Sequence, residues 1–235
     1  RGCRVLAADF IEGGARPDGR PERTVTTHDQ ADLVAAALTE LGVDLAHAIV
    51  GASYGGMVGL AFAERYPKRV EHLAVISAPA EPHPMSTALR SLQRRIVELG
   101  PDTGRAFDAL SIARGLAMTT FRSADEFAAR FEAAPNNGVF ESESYLRHHG
   151  EKFARAFTPA RFLALSLSAD LHRVTPSNVW TPATFVAARG DTIVPIAQVR
   201  ELANGWAGPS RLVETNTNTG HDAFLAEPQH VGAIL

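Results

Sequence analysis

The stretch VGASYGGMVGL, residues 50–60, constrains the fold of this chain more than any other. Before it, LAHAIV (45–50) is a short apolar run of the kind that forms a buried strand; after it, GGMVGLAFAERYP carries apolar residues at helical spacing and stops at Pro67. Gly51, Gly55, Gly56 and Gly59 crowd the junction between the two. Glycine is required where a chain turns sharply and packs backbone on backbone. The segment therefore predicts a strand, a tight turn and a helix, with Ser53 at the apex.

The flanking sequence repeats that alternation. CRVLAADF (3–10) reads as a buried strand, followed by a Gly/Pro/Arg-rich loop through Glu22. Thr27-His28-Asp29-Gln30 has capping-box spacing and opens a helix over ADLVAAALTELG, with Gly42 as its stop. EHLAVISA (71–78) predicts a further strand, ended by Pro79. Strands alternating with helices imply a parallel sheet covered on both faces. From about Pro82 to Asn178 only helical periodicity is found, with Leu89, Leu92, Ile96 and Leu99 forming the apolar stripe of the first helix. Strand signal returns at ATFVAA (183–188), followed by the helical IAQVRELANGW, a strand SRLVET and a helix from Ala223. The expected organisation is an α/β core over 1–80 and 179–235, interrupted by a helical lid over 81–178; insertions of that length serve such purposes.

Ser53 then acquires a chemical reading. Gly51-Ala52-Ser53-Tyr54-Gly55 is a G-x-S-x-G sequence in the strand–turn–helix context of a nucleophile elbow. A serine hydroxyl needs an oriented base to take its proton. Asp191, after ATFVAA, and His221, after SRLVET, both fall at the carboxyl ends of strands, where open α/β sheets place their sites. The order Ser53, Asp191, His221 is that of the α/β-hydrolase triad, in which His221 is the base, Asp191 fixes its tautomer and the Tyr54 amide donates to the oxyanion.

Other features bound the alternatives. The formal net charge of −3, with both signs interspersed, gives no electrostatic case for nucleic acid, and no apolar run approaches the ~18 residues of a membrane span. Cys3 is the single cysteine, so an internal disulfide is excluded. His148 and His149 are adjacent on a helix and do not face one side, so no metal is expected. Arg90, Arg94 and Arg95 read as the solvated face of the first lid helix, the alternative being contact with a phosphate-bearing ligand. Arg114 falls among Phe107, Leu110 and Met118 on the apolar half of its helix, and a buried guanidinium needs an anionic partner, either a structural carboxylate or that of a substrate.

VGASYGGMVGLAFAERYPKRV, SIARGLAMTTFRS, ESYLRHHGEKFARAF, LHRV and GHDAFL together resemble the homoserine O-acyltransferases of the α/β-hydrolase superfamily, from about Val25 to the C-terminus. The resemblance implies an acyl-CoA-dependent transfer, by acetyl or succinyl donor, to the hydroxyl of homoserine through an acyl-serine. Ser53, Asp191 and His221 match the family's triad, Arg114 its carboxylate-binding arginine, and Asp222 the group that meets the ammonium. Phe121 stands where the family has a tyrosine, Ala52 and Tyr54 where it has glycine and methionine, and HHG where it has QG. The alternatives are a serine O-acyltransferase, an ester or thioester hydrolase with the same triad, and a non-catalytic binding protein on the same fold.

The resemblance further implies a cytoplasmic homodimer with acyl-CoA as co-substrate, a small amino-acid acceptor and no permanently bound cofactor. It implies, too, that three strands precede CRVLAADF in the complete fold, that one of them lies between CRVLAADF and AHAIVG, and that the loop after it donates a second oxyanion amide. CRVLAADF and AHAIVG are therefore expected not to pair directly, and the active protein is expected to be longer.

Overall fold

A computed structural model describes residues 2, 4–18 and 20–234. In chain order the elements are α1 (Thr27–Glu40), β1 (Ala46–Ala52), α2 (Tyr54–Arg65), β2 (Val70–Ile76), α3 (Pro84–Asp102), α4 (Ala106–Phe121), α5 (Ala124–Arg130), α6 (Glu141–Ala156), α7 (Pro159–Asp170), β3 (Ala183–Arg189), α8 (Ile196–Gly205), β4 (Ser210–Asn216), α9 (Ala223–Ala226) and α10 (Pro228–Gly232). The four strands form one parallel sheet in the order β1-β2-β3-β4. Its register places Val50 beside Ala74, Leu73 beside Ala183 and Phe185 beside Leu212. The carboxyl ends of all four strands therefore lie along one edge of the sheet, where the functional loops gather.

Burial explains the register. Leu73 and Val75 of β2 and Phe185 and Ala187 of β3 point to one face and pack against Leu60 and Phe62 of α2 and Val199 and Leu202 of α8. The opposite face carries Ile76 and Val186 under Val231. Residues 56–63 of α2 are buried without a break, as in a helix enclosed on all sides. Full burial of a side chain such as Phe62 contributes about 1.5–3 kcal/mol, so α2 is the element on which the elbow is anchored.

Helices α3–α7 are inserted between β2 and β3 and have a core of their own, with Val97, Leu110, Ala113 and Leu163 enclosed by Phe153, Phe157 and Phe162. The stripe expected on α3 is corrected by the structure. Leu92 and Leu99 are exposed, while Ser86, Gln93, Val97 and Gly100 face inward. Arg90 and Arg94, expected in solvent, lie on the inward side and converge on Asp170 of α7. A buried carboxylate between them supplies the partner that lets guanidinium groups leave water.

The expected strand at CRVLAADF does not form. Residues 4–10 are irregular, with Val5 92% and Leu6 48% exposed; Cys3 lies outside the described residues. A strand is stabilised only by the neighbour it pairs with, and among the described residues β1 pairs with β2 alone. The two stretches do not pair, as expected. Phe10 instead turns inward and meets Tyr54 edge-to-face at 4.8 Å between ring centroids.

The α1 cap is also shifted. Thr26, not Thr27, is the N-cap, and Asp29 completes the box: the Thr26 hydroxyl oxygen accepts from Asp29 N at 3.2 Å and the Asp29 carboxylate accepts from Thr26 N at 2.7 Å. Gln30 is thereby released to bond the backbone of Ile11 in both directions, at 3.0 and 2.8 Å, which ties the N-terminal loop to α1. The single helix expected from Ala223 is two short pieces, α9 and α10, divided before Pro228.

Candidate active site

Ser53 sits between β1 and α2 with φ 51° and ψ −120°, a conformation that a non-glycine residue adopts only under constraint. Its N–H donates to Ile76 O of the adjacent strand β2 at 2.8 Å and its carbonyl accepts from Met57 N of α2 at 3.0 Å, so the neighbouring strand and the following helix hold it. The turn is possible because a Cβ on Gly51 would lie 2.2 Å from Gly55 O, and one on Gly56 would lie 2.7 Å from the Ala78 Cβ. Gly55, the second glycine of the motif, faces open space. The motif's two glycines thus have different standing, which spacing alone does not reveal.

Asp191 follows the Gly190 turn (φ +85°) at the end of β3. Its Oδ1 accepts from Ile193 N at 2.8 Å and Val194 N at 2.9 Å, leaving Oδ2 to accept from His221 Nδ1 at 2.7 Å. With Nδ1 as donor, His221 Nε2 is the acceptor toward Ser53 Oγ, 2.8 Å away. Asp191 and His221 are buried, which protects their bond from competing water. The relay from Ser53 to His221 to Asp191 is therefore assembled with the distances a general base requires. The Tyr54 N–H, first in α2, belongs to the group of amides at a helix start that have no intrahelical acceptor, so it is available to a developing oxyanion. The Tyr54 ring leads away from the elbow and its hydroxyl bonds Ser168 on α7 at 2.6 Å; burial pushes this phenol up from its ordinary pKa.

The triad opens on a cavity of about 330 Å³ beneath the inserted helices, whose lining includes Ser53, His221, Phe121, Phe153, Arg90 and Arg114. Arg114 lies between two aromatic faces, its guanidinium carbon 5.0 Å from the Phe121 ring and 4.9 Å from the Phe153 ring. Burial draws its pKa down and the nearby charge of Asp222 acts the other way. Among the described residues Arg114 forms no ion pair. Asp222 is buried in the turn after β4 and faces Arg122, whose Nε is 3.2 Å from its Oδ2; Asp222 is not part of the cavity lining. The expected pair thus divides: Arg114 presents to the cavity, and Asp222 is held behind it.

Sequence reasoning missed Arg122 and Ser123. The Ser123 hydroxyl bonds Asn218 O, and Thr192 Oγ1 donates to Thr120 O at 3.1 Å. The α4–α5 junction is therefore bonded to both loops that carry Asp191 and His221. Their signal was the FRS end of SIARGLAMTTFRS, one of the stretches that carry the family resemblance. His148 and His149 gather no metal ligands: among the described residues no group of three or more His, Cys, Asp or Glu could hold an ion. His149 packs on Tyr145 at 4.4 Å between centroids. No described helix is long and apolar enough to cross a membrane.

A strained serine at a strand–helix elbow, bonded to a histidine and aspartate from the ends of later parallel strands, is the arrangement of an α/β-hydrolase fold. Residues 1–228 match the family model described as alpha/beta hydrolase fold, and the chain belongs to that family. Within it, the chain groups with the homoserine O-acyltransferases. It is 40% identical over 236 residues to a homoserine O-succinyltransferase of Xanthomonas campestris pv. campestris, covering 99% of this chain and 63% of the relative. It is 36% identical over 233 residues to a homoserine O-acetyltransferase of Thermus thermophilus, covering 94% and 60%. Among solved structures it resembles esterase E22, with a TM-score of 0.85 at 17% identity over 97% of this chain and 71% of that one, a likeness of fold alone. The chain spans less than two thirds of the length of those two curated relatives.

Proposed function

We propose that this protein is an acyl-CoA-dependent O-acyltransferase that passes an acyl group through Ser53 to the hydroxyl of homoserine. The observation that carries the reading is a Ser53–His221–Asp191 arrangement opening on a cavity that is also lined by Arg114, which forms no ion pair among the described residues. A hydrolase acting with water has no need of a buried cation there, whereas an amino-acid acceptor brings the carboxylate that satisfies it. The kinship with homoserine O-succinyl- and O-acetyltransferases supports the same choice.

In the first half-reaction Ser53 Oγ attacks the thioester carbonyl while His221 Nε2 takes its proton; the tetrahedral oxyanion meets the Tyr54 N–H. Collapse expels the CoA thiolate, which receives the proton from His221, and leaves an ester on Ser53. In the second, the acceptor hydroxyl gives its proton to His221 and attacks that ester, and Ser53 leaves with the proton restored. Arg114 grips the acceptor carboxylate. Asp222, oriented by Arg122, attracts its ammonium from behind the cavity wall, so both charges of a zwitterionic amino acid are answered. A cytoplasmic homodimer belongs to the same reading.

The test is a two-stage assay on the full-length protein. Mixing with acetyl- or succinyl-CoA should release about one equivalent of CoA per active site and then stall until homoserine is added. CoA release that continues in water at the same rate with and without homoserine or serine would identify a thioester hydrolase instead.

A further inference from the structure

The chain contains two Asn-Gly pairs, Asn137-Gly138 and Asn204-Gly205, and the fold treats them in opposite ways. Asparagine is a labile residue, most of all before glycine, where no Cβ shields the amide nitrogen that follows. Asn137 and Gly138 form the tip of the connection between α5 and α6, with φ of 49° and 80°. Positive φ at both central residues marks a two-residue turn, and asparagine enters the left-handed region more readily than most side chains. Two bonds close the turn: Asn136 N–H donates to Val139 O at 2.9 Å and Val139 N–H to Asn136 O at 3.1 Å. The bridge is isolated, with no ladder beyond it. Residues 132–141 are all exposed, and a Cβ on Gly138 would meet nothing within 4 Å. Among the described residues the Gly138 N–H donates to no backbone acceptor.

Asn204 and Gly205 end α8, where the Gly205 amide is a rung of the helix. The pair lies between the buried Leu202 and Trp206, and the Trp206 indole donates to Thr181 O at 2.9 Å. Bringing the Asn204 side chain onto the next amide requires unfolding an anchored helix end; at Asn137 it requires opening one bridge. We propose that Asn137 is a site of spontaneous deamidation directed by the fold, and that Asn204 is protected from it. The Gly138 nitrogen loses its proton to solvent base and attacks Asn137 Cγ; the N–Cγ bond forms, the Cγ–Nδ2 bond breaks and ammonia leaves. Water then opens the succinimide. Addition at Cγ gives aspartate, and addition at the main-chain carbonyl gives isoaspartate, with the backbone rerouted through Cγ. Either product adds a negative charge to the inserted helical region. Isoaspartate also lengthens the backbone by one atom, so the two bonds of the turn no longer form together. The site is independent of the chemistry at Ser53.

The experiment holds the folded full-length protein at mildly alkaline pH and samples it over time by trypsin digestion and mass spectrometry. Cleavage after Arg130 and Arg147, and after Arg200 and Arg211, puts the two pairs on separate peptides. A second sample is treated identically in concentrated guanidinium chloride. In the folded protein, peptide 131–147 should gain the amide-to-acid mass change at Asn137, split into aspartyl and isoaspartyl forms. It should do so at least about 10-fold faster than peptide 201–211, the factor set by the difference in opening free energy. In denaturant the two rates should converge, and Asn137→Gln should abolish the conversion at that position. Equal rates in the folded protein, a faster Asn204, or an Asn137 that converts only in denaturant would overturn the assignment. A difference that persists in denaturant would trace it to local sequence and overturn the role given to the fold.

Discussion

His172 is fully buried where α1, the loop after β2 and the chain after α7 meet, and its protonation should dominate one part of the stability profile. Its Nε2 is 3.2 Å from Pro79 O, which can only accept, so Nε2 carries the hydrogen; Nδ1 then accepts from Thr27 Oγ1 at 2.8 Å. The neutral ring is thus satisfied at both ends. Burial above all pushes its pKa down to about 3; His28 and Arg173 add to the shift, and the bond to Pro79 opposes it. The folded pKa lies below the unfolded value near 6.5. Between the two, the unfolded chain binds a proton that the folded chain refuses, so stability is complete above pH 6.5 and falls as pH drops toward 3. From pH 7 to pH 5 this one residue should cost about 2 kcal/mol, or roughly 4–8 °C in Tm for a chain of this size. His172→Gln should be less stable than the wild type at pH 7, by about 1–3 kcal/mol for the disturbed bonds, and the difference should shrink by about 2 kcal/mol at pH 5. Urea titrations of both proteins at pH 7, 6 and 5 measure it. A difference that stays constant or widens on acidification would refute a neutral, desolvated His172.

The remaining predictions concern the site. Gly51→Ala should destabilise by about 1–3 kcal/mol or more and abolish labelling by a serine-directed fluorophosphonate, since its Cβ would overlap the backbone at Gly55. Gly55→Ala should be tolerated and raise Tm slightly, because it meets nothing within 4 Å and favours the first turn of α2 by up to about 1 kcal/mol. Arg114→Leu should weaken acceptor use by about 2–5 kcal/mol in kcat/KM for homoserine while the initial release of CoA survives; loss of that release with normal acceptor use would move Arg114 out of the acceptor site. Arg122→Met should leave Asp222 unpaired and cost about 3 kcal/mol in denaturant unfolding, with a raised KM for homoserine; unchanged stability and KM would remove the pair from the account.

The four strands were legible because each is a short apolar run bounded by turn residues, and the triad because its members fall at the ends of three of them. What failed was nonlocal. CRVLAADF has the composition of a strand, but pairing depends on a neighbour that composition cannot supply, and residues 4–10 stay irregular. On α3 the leucines suggested one buried face, while the actual inward face carries Ser86, Arg90, Gln93, Arg94 and Val97, since it borders a polar cluster around Asp170 and the cavity. An inward-facing arginine is recognised only once its partner, 76 or 80 residues away, is known. Asp222 is a candidate only through the family resemblance, and its partner Arg122 is not legible from spacing, because the contact joins a helix end to a distant loop.

The central claim is that Ser53 carries the acyl group. Full-length protein mixed with succinyl-CoA or acetyl-CoA, quenched in acid and mapped by peptide mass spectrometry, tests it directly. The account predicts a single acyl adduct on the peptide containing Ser53, absent from Ser53→Ala and discharged as O-acylhomoserine when homoserine is added before the quench. An adduct on another residue, or acyl transfer to homoserine that persists in Ser53→Ala, would contradict it.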